Sequence, residues 1–213
     1  MFFPDFQPLL LSTGVVALAE IGDKTQLLAL ILAARYQRPW PIIVGILIAT
    51  LLNHGLAGAL GHWIGGALNP EWLQLILAIV FLLMAFWILV PDRCDDDIDD
   101  KGTLGVLAAT LVSFFLAEMG DKTQIATIAL AAHETQLISI VIGTTLGMMI
   151  ANVPVVFLGD RLAGRLPVQA TRWVAALLFL GLSVTAFLRS EMDLGRLVLE
   201  GVSGIEKSLD LNP

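Results

Sequence analysis

Two eight-residue stretches decide the fold of this chain: A-E-I-G-D-K-T-Q at residues 19–26 and A-E-M-G-D-K-T-Q at residues 117–124. Each lies within a run made otherwise of Leu, Ala, Ile, Val and Phe. Carboxylates, a lysine, a hydroxyl and an amide are strongly disfavoured in hydrocarbon, so packing alone does not explain the same polar set at two places at membrane depth. The alternative interpretation is two polar turns on the surface of a soluble helical protein.

The chain is an internal duplication with an offset of 98 residues. The offset relates Glu20 to Glu118 and Asp23 to Asp121, so it brings the two polar stretches into register. Further identities at the same offset are Ala33 and Ala131, Ala34 and Ala132, Gly45 and Gly143, and Gly61 and Gly159. The repeated unit therefore carries the chemistry.

The composition favours a membrane protein over a soluble one. Of the 213 residues, 57% are hydrophobic and only 15% are charged, and the mean hydropathy is +0.83. A hydrocarbon core about 30 Å thick requires roughly 20 apolar residues per helix, and the chain offers about six such segments. Because lipid provides no partner for open backbone groups, we predict an all-α membrane protein with six transmembrane helices.

Charge and cysteine content exclude several classes of function. Much of the formal charge of −7 lies in one loop and in the tail, so it indicates no nucleic-acid partner. Cys94 is the only cysteine, which excludes an intrachain disulfide and a thiolate metal cluster. The start, M-F-F-P-D-F-Q-P, has no basic region and no small-residue cleavage site, so we expect the first apolar run to be a retained helix. The sequence is compatible with a homo-oligomer as well as a monomer.

The predicted organisation has four parts. Residues 1–90 form a first three-helix repeat, 91–103 an acidic loop, 104–190 a second three-helix repeat, and 191–213 an amphipathic tail that meets a membrane surface or a partner. The predicted helices span about 8–34, 42–64, 72–90, 104–132, 138–158 and 172–188. Arg35, Arg38, Pro39 and Pro41 are expected to form the first loop.

Three helices per repeat is an odd number, so the second repeat must enter the membrane inverted relative to the first. In such inverted repeats the substrate site forms at the midplane, where the repeats meet. Gly22 weakens the first helix between its two acids, and we expect a local break there. Glu20 and Asp23 lie three residues apart and are predicted to share a helix face, as are Glu118 and Asp121.

The charge of the two polar stretches indicates what they hold. Four carboxylates with Lys24 and Lys122 leave a net charge of −2 if all are ionised. Uncompensated charge at low dielectric is prohibitive, so the site is expected to hold a divalent cation or about two protons. Competition between the ion and the protons for the same side chains is a physical basis for exchange.

The candidate ligands are hard oxygen donors. They are the carboxylates of Glu20, Asp23, Glu118 and Asp121 with the side-chain oxygens of Thr25, Gln26, Thr123 and Gln124. Such oxygen-rich sites suit magnesium, calcium and manganese. Lys24, four residues after Glu20, is predicted to keep that carboxylate ionised, with a gating role as the alternative.

Other polar residues leave alternatives open. Asn53 and His54 in the second helix, and Asn152 at the position equivalent to His54, either hydrogen-bond between helices or contribute to a cation path. The acidic loop is interpreted as a solvated connector, with cation collection as the alternative. The positive-inside rule places the loops after the odd-numbered helices in the cytoplasm and both termini outside. The basic residues that decide this are Arg35, Arg38, Arg93, Lys101, Arg161, Arg165 and Arg172 on one side, against Arg189, Arg196 and Lys207.

At the two polar stretches the sequence resembles a family of small six-helix cation/proton antiporters with an E-x-G-D-[KR]-[ST] signature in each of two repeats. Residues 20–25 and 118–123 match the signature without departure. The family includes a Golgi manganese and calcium transporter linked to a glycosylation disorder, thylakoid and chloroplast-envelope manganese transporters, and bacterial manganese exporters. The resemblance implies that Glu20, Asp23, Glu118 and Asp121 form the cation site.

The resemblance implies a bacterial secondary transporter that exports Mn²⁺ across the cytoplasmic membrane in exchange for protons. The metal is then a transported substrate, and neither a cofactor nor an enzymatic reaction is expected. The residues alone permit a Ca²⁺/H⁺ antiporter equally well. Two other classes stay open: an intramembrane hydrolase, disfavoured by the symmetric lysine-flanked acids, and an accessory membrane subunit, supported only by the tail.

Overall fold

A computed structural model describes residues 6–90, 105–133, 136–158 and 168–210 of the chain. The prediction of an all-α protein is confirmed, because every regular element in these ranges is a helix. The helices are α1 Phe6–Glu20, α2 Lys24–Tyr36, α3 Pro39–Ala67, α4 Pro70–Trp87, α5 Val106–Glu118, α6 Lys122–His133, α7 Leu137–Leu158 and α8 Val168–Asp210. The central acidic loop with Cys94 lies outside the described residues.

The predicted break in the first helix is confirmed, and the fourth predicted helix breaks at the equivalent point. Helix α1 ends at Glu20 and α2 begins at Lys24, while α5 ends at Glu118 and α6 begins at Lys122. The glycine in each gap has a positive φ, 82° at Gly22 and 73° at Gly120. Side chains other than hydrogen rarely tolerate this conformation, so the glycine of each E-x-G-D element is what allows the helix to turn. We call residues 21–23 bend 1 and residues 119–121 bend 2.

Several predicted helix ends were wrong by three residues or more, and two of these differences have a clear physical reason. Helix α3 begins at Pro39 and not at residue 42, because proline lacks only an N–H that the first helical turn does not use. Pro39 and Pro41, expected in the first loop, therefore lie in α3, and Arg35 lies in α2. The last predicted helix does not end at Leu188, since α8 continues to Asp210 as one helix of 43 residues. No proline occurs between residues 168 and 210, and polar residues by themselves do not terminate a helix.

The surface of the described helices is that of a membrane protein. Three segments are long and apolar enough to cross a bilayer, Pro39–Ala67, Leu137–Leu158 and Gln169–Ser190, and the shorter helices Phe6–Glu20, Trp72–Trp87 and Val106–Glu118 are also apolar. Large apolar side chains such as Leu56, Trp63 and Leu83 are exposed. A soluble monomer does not expose this much continuous apolar surface, whereas lipid covers it at no cost.

Helices α3 and α7 lie at the centre and position the two bends. Helix α3 packs along α5 and α6, α7 packs along α1 and α2, and α3 and α7 also contact each other. Glycines make this approach close, since a Cβ at Gly61 would strike the carbonyl of Ile128 in α6, and one at Gly147 would lie 2.6 Å from the carbonyl oxygen of Thr13 in α1. Each central helix therefore runs past one bend, and the acids at both bends are enclosed by packed helices.

Candidate cation site

Each bend is closed by the same pair of hydrogen bonds. In bend 1 the N–H of Asp23 donates to the carbonyl oxygen of Glu20 at 3.0 Å, and the N–H of Gly22 donates to Oε1 of Gln26 at 2.9 Å. The corresponding distances in bend 2 are 3.1 Å and 2.7 Å. Both unwound segments thus have backbone donors satisfied locally, which makes an interrupted helix tolerable at membrane depth.

The glutamate of each bend is fully buried and oriented by the threonine five residues later. The hydroxyl of Thr25 donates to Oε2 of Glu20 at 2.5 Å, and the hydroxyl of Thr123 donates to Oε2 of Glu118 at 3.1 Å. Both glutamate side chains have an exposed fraction of 0%. Each hydroxyl bonds one oxygen of its carboxylate, and among the described residues the other oxygen, Oε1, has no hydrogen-bond partner.

Three carboxylates from the two repeats converge. One oxygen from each of Glu20, Glu118 and Asp121 lies within 4.8 Å of the other two. An ion bound at about 2.0–2.6 Å keeps its oxygen ligands no more than roughly 4–5 Å apart, so this spacing fits a single shared cation. The prediction that the two polar stretches meet is therefore confirmed in its geometry.

Asp23 lies beside this cluster and not within it. It occupies the N-cap position of α2 with extended backbone angles, φ −86° and ψ 169°. The helix is interrupted between Glu20 and Asp23, so the expectation that the two acids share one helix face is wrong. The same holds for Glu118 and Asp121, which the turn of bend 2 brings together.

The lysines pair across the repeats. Nζ of Lys24 lies 2.9 Å from Oδ1 of Asp121, and Nζ of Lys122 lies 3.6 Å from Oδ1 of Asp23. The expected pairing of Lys24 with Glu20 assumed a continuous helix, and the break at Gly22 removes the geometry on which it depended. Each aspartate is thus neutralised by the lysine of the other repeat.

The glutamines stabilise the bends. Oε1 of each accepts the glycine N–H described above, and Nε2 of Gln26 also donates to the carbonyl oxygen of Ala151 in α7 at 3.0 Å. Each glutamine Oε1 has two lone pairs, so the bond that it accepts from the glycine N–H leaves one lone pair for a cation. The bond to Ala151 fixes bend 1 against the central helix.

The polar residues of α3 and α7 have different surroundings. Nδ2 of Asn53 donates to the carbonyl oxygen of Phe115 in α5 at 3.0 Å, which is the interhelical bond that one interpretation expected. Nδ2 of Asn152 donates to the carbonyl oxygen of Met148 within α7 at 3.1 Å. His54 is fully buried, and neither of its ring nitrogens has a hydrogen-bond partner in the described part of the chain. His54 is not among the described residues that converge with the carboxylates.

Two contacts at the bends could not be predicted from the repeat. Nη2 of Arg172, at the start of α8, donates to the carbonyl oxygen of Gly22 at 3.2 Å. Nζ of Lys122 donates to the carbonyl oxygen of Val90, just after α4, at 3.3 Å. The residue equivalent to Arg172 in the first repeat is Gln74, so the 98-residue offset carried no signal for the arginine.

Buried acids at paired breaks of membrane helices place this chain in the class of ion-transporting membrane proteins. The sequence also matches a known family of this class. The chain belongs to the GDT1 family of divalent cation/proton antiporters, whose family model matches residues 8–96 and 106–193. The two matched segments correspond to the two halves of the duplication.

Individual relatives agree with this assignment. A Vibrio cholerae protein named "Putative manganese exporter" is 50% identical over 181 residues, which cover 84% of this chain and 90% of that protein. GDT1-like protein 3 of Arabidopsis thaliana is 26% identical, with 85% of this chain and 71% of the relative covered. A GDT1-like protein of Synechocystis is 29% identical over 78% of this chain and 89% of the relative. No solved structure matches the chain.

Proposed function

We propose that this chain is a secondary transporter that exports a divalent cation, with Mn²⁺ as its substrate, from the cytoplasm in exchange for protons. The observation that carries the proposal is the convergence of Glu20, Glu118 and Asp121 within 4.8 Å. These acids come from both repeats and have almost no exposed surface. A stable protein does not bury three carboxylates together unless a cation or protons neutralise them.

The ion pairs support a role for the two glutamates as the exchanging groups. Because Lys24 pairs with Asp121 and Lys122 pairs with Asp23, the aspartates are neutralised within the protein. Glu20 and Glu118 then carry the remaining charge of −2. One divalent cation or two protons neutralise this charge, so we propose that two protons replace each cation and that the exchange moves no net charge.

The proposed ligand set follows from the same contacts. Glu20, Glu118 and Asp121 bind the cation directly, and Asp23 completes the site from beside Lys122. Thr25 and Thr123 orient the glutamates, and each hydroxyl oxygen retains lone pairs for a weak ligand contact. Gln26 and Gln124 contribute through the bends, with a second lone pair of Oε1 available for the ion.

Manganese is preferred over calcium because of the Vibrio cholerae relative, whose name describes manganese export and whose match covers most of both chains. The oxygen ligands themselves suit either ion. The second candidate is therefore a Ca²⁺/H⁺ antiporter that uses the same residues. Direct competition between the two ions in one transport assay distinguishes these functions.

We propose that the helices form two inverted three-helix repeats with six crossings of the bacterial cytoplasmic membrane. In the first repeat, residues 1–90, α1 and α2 together make one crossing, followed by α3 and α4. In the second repeat, residues 104–190, α5 and α6 make one crossing, followed by α7 and the first part of α8. Residues 91–103 connect the repeats in the cytoplasm, and residues 191–213 form the tail. Transport by this arrangement requires neither a resident cofactor nor an enzymatic reaction.

The experiment uses inside-out membrane vesicles that contain the full chain. With an acidic interior, Mn²⁺ added outside is expected to enter while protons leave. Glu20→Gln and Glu118→Gln each remove one of the two exchanging carboxylates and are expected to abolish uptake. The matched control is Thr13→Val in α1, because that hydroxyl donates to the carbonyl oxygen of Leu9 at 2.7 Å, away from the site. Normal uptake by both glutamate variants contradicts the proposal.

A further inference from the structure

Helices α2 and α6 occupy equivalent positions in the duplication but differ in burial. Ile31 in α2 is 36% exposed, whereas Ala129, 98 residues later in α6, is 3% exposed. Ala34 is exposed and its equivalent Ala132 is buried. One of the two helices is therefore packed into the bundle, and the other is partly separated from it.

The neighbours of the two helices show the same difference. Helix α6 packs against α3 and also against α4, whereas α2 packs less extensively against α7 and, within the described ranges, makes no comparable contact with α8. The lysine that begins α2 is also the more accessible of the pair, because the side chain of Lys24 is 28% exposed and that of Lys122 only 4%. The two halves of the duplication thus have different conformations in this structure.

Arg172 contacts the bend that precedes the separated helix. Its guanidinium donates to the carbonyl oxygen of Gly22 from the start of α8. At the equivalent position in α4 stands Gln74, whose Oε1 is buried and has no hydrogen-bond partner among the described residues. Gly120, the counterpart of Gly22, is exposed. The contact to the bend is therefore made in one half, and the other half carries a shorter side chain at the same position.

Duplicated, inverted halves with different conformations can exchange them, and the exchange moves the opening of a central site from one face of the membrane to the other. A hydrogen bond from a charged donor that exists in only one of the two states shifts the balance between them. The shift equals the difference in interaction free energy between the states. A bond of this kind to a backbone carbonyl corresponds to a change of about tenfold or more in the ratio of the two states.

We propose that Arg172 is a positioning residue that holds bend 1 in the state in which the site opens beside α2, and that Gln74 takes the equivalent place at bend 2 in the opposite state. Because the arginine makes the stronger contact, the two states differ in free energy. The state in which the site opens beside α2 is the more populated one. The inference rests on the proposed transport function, since exchange between these states is what carries the cation. It adds a residue outside both signatures to the transport cycle.

The test compares two equivalent alanines, Ala34 near the end of α2 and Ala132 near the end of α6. Each is replaced by cysteine in the Cys94→Ser background and modified with a membrane-impermeant maleimide. The reagent is supplied from the side of the membrane at which the helix ends. We expect Ala34→Cys to react about tenfold faster or more than Ala132→Cys, in proportion to the populations of the two states.

The same pair of probes then reports on Arg172. Arg172→Gln is expected to lower the ratio of the two rates about tenfold, whereas Arg172→Lys keeps most of it because an ammonium also donates to a carbonyl oxygen. Gln74→Arg is expected to lower the ratio as well, because it strengthens the contact in the opposite state. This variant keeps the test decisive if Arg172→Gln fails to fold.

Equal reaction rates of the two cysteines in otherwise unchanged protein overturn the inference, and so does a ratio that neither Arg172→Gln nor Gln74→Arg changes. The labelling is measured without transport. Failure of the proposed function appears instead as absence of Mn²⁺ uptake in vesicles, with the labelling ratio intact, so the two failures are distinguishable.

Discussion

Nζ of Lys24 lies 2.9 Å from Oδ1 of Asp121, so a lysine of the first repeat neutralises an aspartate of the second. Lys122 and Asp23 form the reciprocal pair at 3.6 Å. The two repeats are joined by these pairs at the same point where their glutamates meet. The lysines therefore neutralise the two aspartates, and the two glutamates remain without a charged partner of opposite sign among these pairs.

Removal of the Lys24 ammonium is expected to disable the site. Lys24→Gln leaves the buried Asp121 carboxylate without the ammonium group that pairs with it. A buried charge that has lost its partner strongly destabilises the folded protein. We expect initial uptake of Mn²⁺ in vesicles to fall about tenfold or more, equivalent to about 1.4 kcal/mol. Lys24→Arg keeps the charge and serves as the control. Equal activity of Lys24→Gln and the unchanged protein would show that the pair has no role.

Proton coupling is expected to follow the charge of the two glutamates. Protons and cation compete for the same oxygens, so a lower pH weakens cation binding, because ligands must be deprotonated to bind metal. If binding of one cation releases two protons, the apparent Kd for Mn²⁺ depends on pH wherever both glutamates of the free protein are protonated. In that range, the Kd is expected to fall about 100-fold for each unit by which the pH rises. Uptake is also expected to be insensitive to an imposed membrane potential, measured in vesicles with potassium and valinomycin. A clear response to potential contradicts the two-for-one exchange.

The hydroxyl that holds Glu118 is expected to affect the affinity for the cation. Thr123→Val removes the donor to Oε2 of Glu118 at nearly constant volume, and the loss of a hydrogen bond to a charged group corresponds to about 1.5–3 kcal/mol. We expect the KM for Mn²⁺ to rise about tenfold or more. Thr127→Val is the matched control, since this buried threonine lies one turn later in α6 and donates to the carbonyl oxygen of Thr123 at 2.7 Å. A similar KM in both variants would refute the role of Thr123.

The close approach of α3 to α6 is expected to tolerate no methyl group at Gly61. A Cβ there would strike the carbonyl of Ile128, a backbone group that cannot move aside. Overpacking of this kind costs about 1–3 kcal/mol, so Gly61→Ala is expected to lower the thermal unfolding temperature of the purified protein. Gly55→Ala on the same helix meets nothing within 4 Å and is expected to leave it unchanged or raise it. The reverse order of the two unfolding temperatures is the contradicting result.

The sequence predicted those features that local chemistry determines. The duplicated acids, the weak point at Gly22 and the meeting of the two polar stretches followed from the 98-residue offset and from the cost of polar groups in lipid. The partners of the lysines could not be predicted, because the spacing of Lys24 from Glu20 was evaluated on a continuous helix. The contact between Arg172 and Gly22 joins residues 150 positions apart, and neither periodicity nor the repeat contains such information. The end of the last helix was also missed, because polarity alone does not stop a helix.

The most direct test of the central claim is a crystal structure of the protein soaked with manganese, with the ion located by its anomalous scattering. The account predicts a single strong peak between the two bends, within about 2.0–2.6 Å of carboxylate oxygens of Glu20, Glu118 and Asp121. The peak is expected to disappear in Glu118→Gln. Manganese bound elsewhere, with the two glutamates contributing no ligand, would contradict the account.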